Sequence, residues 1–266
     1  MYTKQFTYHR PGSLDEALAA FKKSPDARYL AGGQTLIPTM KQRLAAPADV
    51  IDLGGLKELA FIRNGGDVLV VGAGTRHATV ATSAEVKAAI PALAALAGMI
   101  GDPAVRHRGT LGGSIANNDP AADYPAAVSG LGATIRTNAR EIKADDFFTG
   151  MFETALNDGE IVREVSFPVP ERAGYAKFPN PASRYAMVGV FVAKTNSGVR
   201  VAVTGAGPCV FRVAEMEAAL AKNFSADAIA GIRIAPDGMN EDLHGSREYR
   251  AHMVSVMAKR AVAAAL

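Results

Sequence analysis

Leu14, Ala17, Leu18 and Phe21 recur three and four residues apart, the spacing of one helix face. They follow Ser13-Leu14-Asp15-Glu16, in which a serine oxygen and a carboxylate three residues on can satisfy the free N–H groups of a helix start. A helix to about Lys23 is expected, stopped by Ser24-Pro25-Asp26. Arg28–Ala31 and Val50–Leu53 have strand-like length, and between them Leu36–Leu44 reads as a helix whose Pro38 lies in the first turn, where its missing N–H is not needed. A second cluster opens with strands at Leu59–Arg63 and Val68–Val71, joined by Asn64-Gly65-Gly66-Asp67, a hairpin signature. Pro91 begins an apolar helix that runs to Ile100, and Ala133–Arg136 and Ile161–Phe167 read as further strands. After the stiff break Pro168-Val169-Pro170-Glu171-Arg172 come strand-like Tyr185–Ala193 and Val199–Thr204, then helical Ala214–Ala221 and Arg247–Ala265.

Strands and helices are thus mixed rather than strictly alternating, which favours an α+β fold over a doubly wound sheet. The break at Pro168–Arg172 and the change of pattern near Leu56 divide the chain into residues 1–56, 57–170 and 171–266. With 266 residues, 48% of them hydrophobic and 21% charged, the chain can bury a sizeable core. A net charge of +3 with both signs interspersed gives no basic stripe, so neither nucleic acid nor a membrane surface is an expected partner. No apolar run approaches the ~20 residues that span a bilayer, and a cytoplasmic location is the expectation. The single cysteine, Cys209, excludes an internal disulfide and an iron–sulfur cluster, which takes about four cysteine ligands. The five histidines show no metal-ligand spacing, so no metal site is expected.

Two glycine-hinged stretches carry the candidate chemistry. Ala31-Gly32-Gly33-Gln34-Thr35 follows an apolar run and enters a helix, and Thr110-Leu111-Gly112-Gly113-Ser114 follows a loop containing Arg106, His107 and Arg108. Paired glycines let successive N–H groups turn toward an anion, and the neighbouring amide and hydroxyls can add to them. Either stretch alone reads first as a plain turn; two in one chain point to a diphosphate ligand. A side chain added at Gly33 or Gly112 is then expected to block the phosphate. Gly72-Ala73-Gly74-Thr75-Arg76-His77 begins like a dinucleotide fingerprint but has His77 where the third glycine belongs, and there is no P-loop motif.

These residues resemble the FAD-binding medium subunit of the molybdenum hydroxylases, the group that includes aerobic carbon monoxide dehydrogenase and xanthine dehydrogenase. The matching text is Ala31–Pro38 with Lys41 and Leu44, Ile51-Asp52-Leu53, Val105-Arg106, Arg108–Ala116, and Asp119-Pro120-Ala121-Ala122-Asp123, and the likeness runs from Phe6 to Pro208. The resemblance implies a two-subdomain PCMH-type FAD-binding domain followed by a smaller α+β domain of short antiparallel sheet and helices. It implies that Ala31, Gly32, Gly33, Gln34 and Thr35, with Thr110, Leu111, Gly112, Gly113 and Ser114, hold the FAD pyrophosphate. Asp123 would accept bonds from ribityl or adenosine hydroxyls, Ile161 would pack beside the flavin, and Lys177 would lie near the cofactor. By itself Asp123 also reads as an acid at a helix start, Ile161 as a core strand residue and Lys177 as a solvated lysine. The implied function is electron relay, from the [2Fe–2S] clusters of a small subunit through FAD to an external acceptor, and since the flavin would carry that chemistry, no catalytic side chain is assigned. A molybdopterin-containing large subunit would act on the substrate, the whole forming a dimer of heterotrimers. The competing expectation is a flavin-free structural or nucleotide-binding subunit of the same fold. His107 and Asn118 replace the asparagine and alanine usual in the family.

Overall fold

In the computed structural model, which describes residues 2–265, the first sixty residues wrap a parallel three-stranded sheet. It comprises β1 (Thr7–His9), β2 (Ala27–Leu30) and β3 (Asp49–Asp52) in the order β1-β3-β2, with Thr7 and Ala27 both in register with Asp49. Parallel neighbours need crossovers, and helices α1 (Leu14–Lys22) and α2 (Leu36–Lys41) lie in the two connections. Ser13 caps α1 by accepting the Glu16 N–H, while the Glu16 carboxylate takes the N–H of Gly12, one residue earlier than a strict capping box would have it. α2 stops at Lys41, not at the expected Leu44, because Arg43 turns to φ 63°.

The middle of the chain builds a five-stranded antiparallel sheet from β4 (Ile62–Asn64), β5 (Val68–Gly72), β6 (Thr134–Thr137), β7 (Glu141–Lys143) and, later in sequence, β10 (Val162–Pro168). Its order is β4-β5-β10-β6-β7. β4 begins at Ile62 rather than Leu59, which sits in a 3₁₀ turn. Between β5 and β6 six short helices cross the sheet: α3 (His77–Thr82), α4 (Ala84–Ala89), α5 (Pro91–Gly98), α6 (Pro103–Arg106), α7 (Leu111–Asn117) and α8 (Tyr124–Gly130). α9 (Ala144–Phe147) and a small hairpin, β8 (Phe148–Gly150) with β9 (Glu153–Thr154), precede β10.

The last third is an antiparallel sheet in chain order, β11 (Arg172–Pro179), β12 (Ala186–Thr195), β13 (Gly198–Thr204) and β14 (Phe211–Arg212), with α10 (Ala214–Lys222) and the long α11 (Arg247–Ala263). Strand alternation decides its packing. Val188, Val190 and Val192 of β12 face Met253, Val254 and Met257 of α11, while Phe191 and Ala193 join the core of the five-stranded sheet beside Leu93, Val128 and Val165. β12 is therefore buried on both faces, which ties the C-terminal sheet to the middle of the protein.

Candidate functional site

The carboxyl end of β2 delivers the chain into the first glycine stretch, and the crevice beyond the carboxyl ends of parallel strands is where ligands of α/β sheets commonly bind. A cleft of about 1060 Å³ opens there. Its walls come from residues 8–60, from residues 73–162 of the middle region, and from Ser183, Arg184 and Tyr185 between β11 and β12. Of the residues expected to hold a ligand, Ala31, Gly32, Gly33, Gln34, Thr35, Thr110, Gly112, Gly113, Ser114, Asp123 and Ile161 all line it. Leu111 does not; its side chain is fully buried in the core. Lys177 reaches the wall only through Asp123.

The two glycine stretches touch and yet differ in what they offer. A Cβ at Gly32 would lie 2.2 Å from the Arg108 carbonyl oxygen, so the first stretch rests against the loop before the second. Gly33 takes φ +72°, a conformation that costs other residues roughly 1–2 kcal/mol. The N–H groups of Gly32, Gly33, Gln34 and Thr35 donate to no described residue, and Thr35 makes no side-chain cap at the start of α2. In the second stretch the four amides from Leu111 to Ser114 are occupied. Leu111 N–H bonds Thr75 C=O (3.0 Å), Gly112 N–H bonds Ala73 C=O (2.8 Å), and Gly113 and Ser114 N–H bond the Thr110 hydroxyl and carbonyl (3.1 and 3.0 Å). That stretch therefore presents the hydroxyls of Thr110 and Ser114 and the bare backbone of Gly113 rather than a nest of donors.

Asp123 precedes α8 but does not cap it. Its carboxylate accepts from the Tyr175 hydroxyl (2.6 Å) and from Lys177 Nζ (2.9 and 3.0 Å), and Lys177 also donates to the Met99 carbonyl (3.1 Å). Tyr175 and Lys177 are two apart on β11, so they share one face of that strand. Burial pushes the Asp123 carboxyl up from its ordinary value, and the Lys177 ammonium and the Tyr175 hydroxyl pull part of that back. Ile161 is 4% exposed and packs with Leu14, Ile51, Leu56 and Leu59 at the base of the cleft.

Arg10, Arg28, Arg76, Arg108 and Arg184 also line the cleft, and among the described residues none of them pairs with a carboxylate. Two of the four lining carboxylates, Asp123 and Glu160, already have cationic partners in Lys177 and Arg140. The surplus guanidiniums favour an anionic ligand. Arg10, Arg28, Arg76 and Arg184 were not singled out as ligand-binding in the sequence; nothing short of the fold brings them together. Free backbone donors, flanking hydroxyls, a positive field and a cleft of this size fit an extended dinucleotide with a diphosphate centre.

Residues 4–170 match the family described as the FAD binding domain in molybdopterin dehydrogenase. The carbon monoxide dehydrogenase medium chain of Hydrogenophaga pseudoflava is 35% identical over 282 residues, covering 100% of this chain and 98% of that protein. The glyceraldehyde dehydrogenase medium chain of Sulfolobus acidocaldarius is 34% identical, covering 98% of each. The reconstituted CO dehydrogenase of Oligotropha carboxidovorans superposes with a TM-score of 0.93 at 32% identity, over 99% of this chain and 98% of that one. The chain belongs to the FAD-binding medium subunits of the molybdenum hydroxylase family, and its cofactor is FAD.

Proposed function

We propose that this protein is the electron-relay subunit of a molybdenum hydroxylase complex and that the cleft between its three sheets holds the FAD. The pyrophosphate sits on the amides of Gly32, Gly33, Gln34 and Thr35, with Ala31 behind them and the hydroxyls of Thr110 and Ser114 on the facing wall. Gly112 and Leu111 shape that wall from behind, and Gly113 lets the backbone approach the ligand. Asp123, fixed by Lys177 and Tyr175, accepts ligand hydroxyls through its remaining lone pairs. Ile161 forms the apolar floor beside the flavin. The observation that carries this placement is the run of four adjacent amides with no acceptor among the described residues, together with two hydroxyls, in a cleft lined by arginines that pair with no described carboxylate. Bound there, FAD supplies exchange between one- and two-electron chemistry, while the protein supplies position, electrostatics and exclusion of water.

With one cysteine this chain supplies no cluster of its own, so the [2Fe–2S] clusters that would feed the FAD would belong to a small partner subunit. A molybdopterin-containing large subunit acts on the substrate, and the assembly is a dimer of heterotrimers. Relatives named as medium chains of dehydrogenases, matched end to end, support this division of labour. Residues 1–56, 57–170 and 171–266 act as two FAD-binding subdomains and a C-terminal domain. The complex works in the cytoplasm; among the described residues no helix is long and apolar enough to cross a membrane.

The test is the visible spectrum of the purified protein together with two valine variants. Flavin bands are expected in the parent, and Gly33→Val, forced into φ +72°, is expected to lose FAD while retaining its far-UV circular dichroism. Gly66→Val, equally strained at φ +87° but open and remote in the β4–β5 turn, should keep FAD. A parent without flavin bands that takes up no FAD on reconstitution would overturn the reading.

A further inference from the structure

Asn157 to Ile161 form a short strap along the base of the cleft, with Glu160, Ile161 and Val162 lining it. One side of the strap is locked to the turn between β6 and β7. The Glu160 side chain is 3% exposed and accepts four bonds: Thr137 hydroxyl (2.6 Å), Arg140 Nε and Nη2 (3.1 Å each) and Asn157 N–H (2.8 Å). The Thr137 oxygen is itself the acceptor of the Ala139 and Arg140 amides (3.1 and 2.9 Å), and its one hydroxyl proton faces two acceptors, the Glu160 carboxylate (2.6 Å) and the more distant Arg140 carbonyl (3.0 Å). Asn138 then brackets Ile161. Its Oδ1 accepts the Ile161 N–H (2.7 Å), and its own N–H donates to the Ile161 carbonyl (3.0 Å).

The other side of the strap meets the first sixty residues. Gly159 stands at φ +72°, a Cβ there would lie 2.8 Å from the Phe21 ring, and its carbonyl accepts the Tyr29 hydroxyl (3.2 Å). Phe21 and Tyr29 stack with ring centroids 4.7 Å apart, and Ile161 belongs to the apolar cluster around β3. The strap is thus hydrogen-bonded to the five-stranded sheet through Glu160 and Ile161 and packed against the three-stranded one through Gly159 and Ile161. Those two units carry the facing walls of the cleft.

We infer that Arg140 and Glu160 are positioning residues for the cofactor: their forked pair, with Asn138, fixes Ile161 and the spacing of the two walls to the flavin nucleotide. Neither needs to touch a reacting atom. The guanidinium is the part that cannot be replaced by charge alone, because it serves both carboxylate oxygens at once and a lysine ammonium is a single point. The carboxyl of Glu160 is held below its ordinary range: burial alone would raise it, and Arg140, the Asn157 amide and the Thr137 hydroxyl more than reverse that. The inference rests on FAD occupying this cleft.

The experiment uses the full chain in its complex, with Glu160→Gln, Arg140→Lys and Gly33→Val compared with the parent. Glu160→Gln keeps the volume but turns an amide NH2 toward donors, and Arg140→Lys keeps the charge but loses the fork. The FAD dissociation constant, the position and fine structure of the visible flavin bands, and the flavin reduction potential are read together with far-UV circular dichroism. Glu160→Gln is expected to release FAD at least about tenfold more readily, Arg140→Lys by an intermediate factor, with altered bands and a shifted potential in whatever FAD remains and parental circular dichroism. Should Glu160→Gln fail to fold, Arg140→Lys decides alone. Parental affinity, spectrum and potential in a folded Glu160→Gln or Arg140→Lys protein would overturn the positioning role. If Gly33→Val loses FAD in the same experiment, that failure leaves the cofactor's placement standing; a parent that binds no FAD removes the placement itself.

Discussion

His77 shows how far a residue's surroundings change its chemistry. It opens α3 behind the Gly109–Thr110 backbone, 5% exposed, with its ring 5.3 Å from that of Tyr124, and neither its Nδ1 nor the Tyr124 hydroxyl finds a partner among the described residues. Burial, with the nearby Arg106 charge adding to it, pushes its pKa down to about 4. In the unfolded chain the same ring titrates near its ordinary value of about 6.5. Between those values the unfolded state binds the proton and the folded state does not, so stability falls as pH drops from about 6.5 toward 4. At pH 5 the cost from this residue is about 2 kcal/mol relative to pH 7. The ring should therefore titrate near pH 4 by NMR, and His77→Phe should lose less stability than the parent when moved from pH 7 to pH 5. Equal losses would mean that the ring is hydrated.

At the scale of elements, Gly112 is a glycine for packing. A Cβ there would lie 2.5 Å from the Ala73 Cβ and 2.9 Å from its Cα and O, where α7 crosses the end of β5. Gly112→Val is expected to lower the melting temperature by the equivalent of about 1–3 kcal/mol, as overpacking does, whether or not FAD is present. Gly33→Val should instead act mainly on cofactor retention; a parental melt for Gly112→Val would refute the close contact. From sequence the two double glycines looked alike, because composition reports where a side chain is missing and not which neighbour requires it to be. The β4–β5 hairpin, the cap at Ser13 and β12 were legible, each carrying its signal within a few residues. β11 was not: Arg172–Pro179 mixes alanine, glycine, lysine and tyrosine, and it is a strand because β12 pairs along its whole length. Taken by itself Lys177 reads as a surface lysine for the same reason, and only the family resemblance put it near the cofactor. Its partner Asp123 lies 54 positions away, and only the docking of the C-terminal sheet brings them together.

The whole molecule is nearly neutral, yet its charge is unevenly spent. A net charge of +3 conceals a cleft with five arginines that, among the described residues, have no carboxylate partner, so an anion binding there meets a local field much stronger than the total suggests. The cleft walls come from three separate sheets, and Asp123, Lys177 and Tyr175 already join the middle region to the last one. A ligand that fills this space binds only when all three are folded and in place. Mass action then gives about 2.7 kcal/mol of added stability at a free FAD concentration one hundred times the dissociation constant. For a chain of this size each kcal/mol raises the melting temperature by about 2–4 °C, so the expected rise is on the order of 5–10 °C. Calorimetry with and without FAD checks this, and hydrogen exchange locates it. Protection should increase in β2, in α7 and in β11 together, with smaller gains at higher salt, where the arginine field is screened. Protection confined to residues 4–170 would show that the C-terminal sheet contributes nothing to holding the cofactor, and would reduce the Lys177–Asp123 pair to a structural tie between domains.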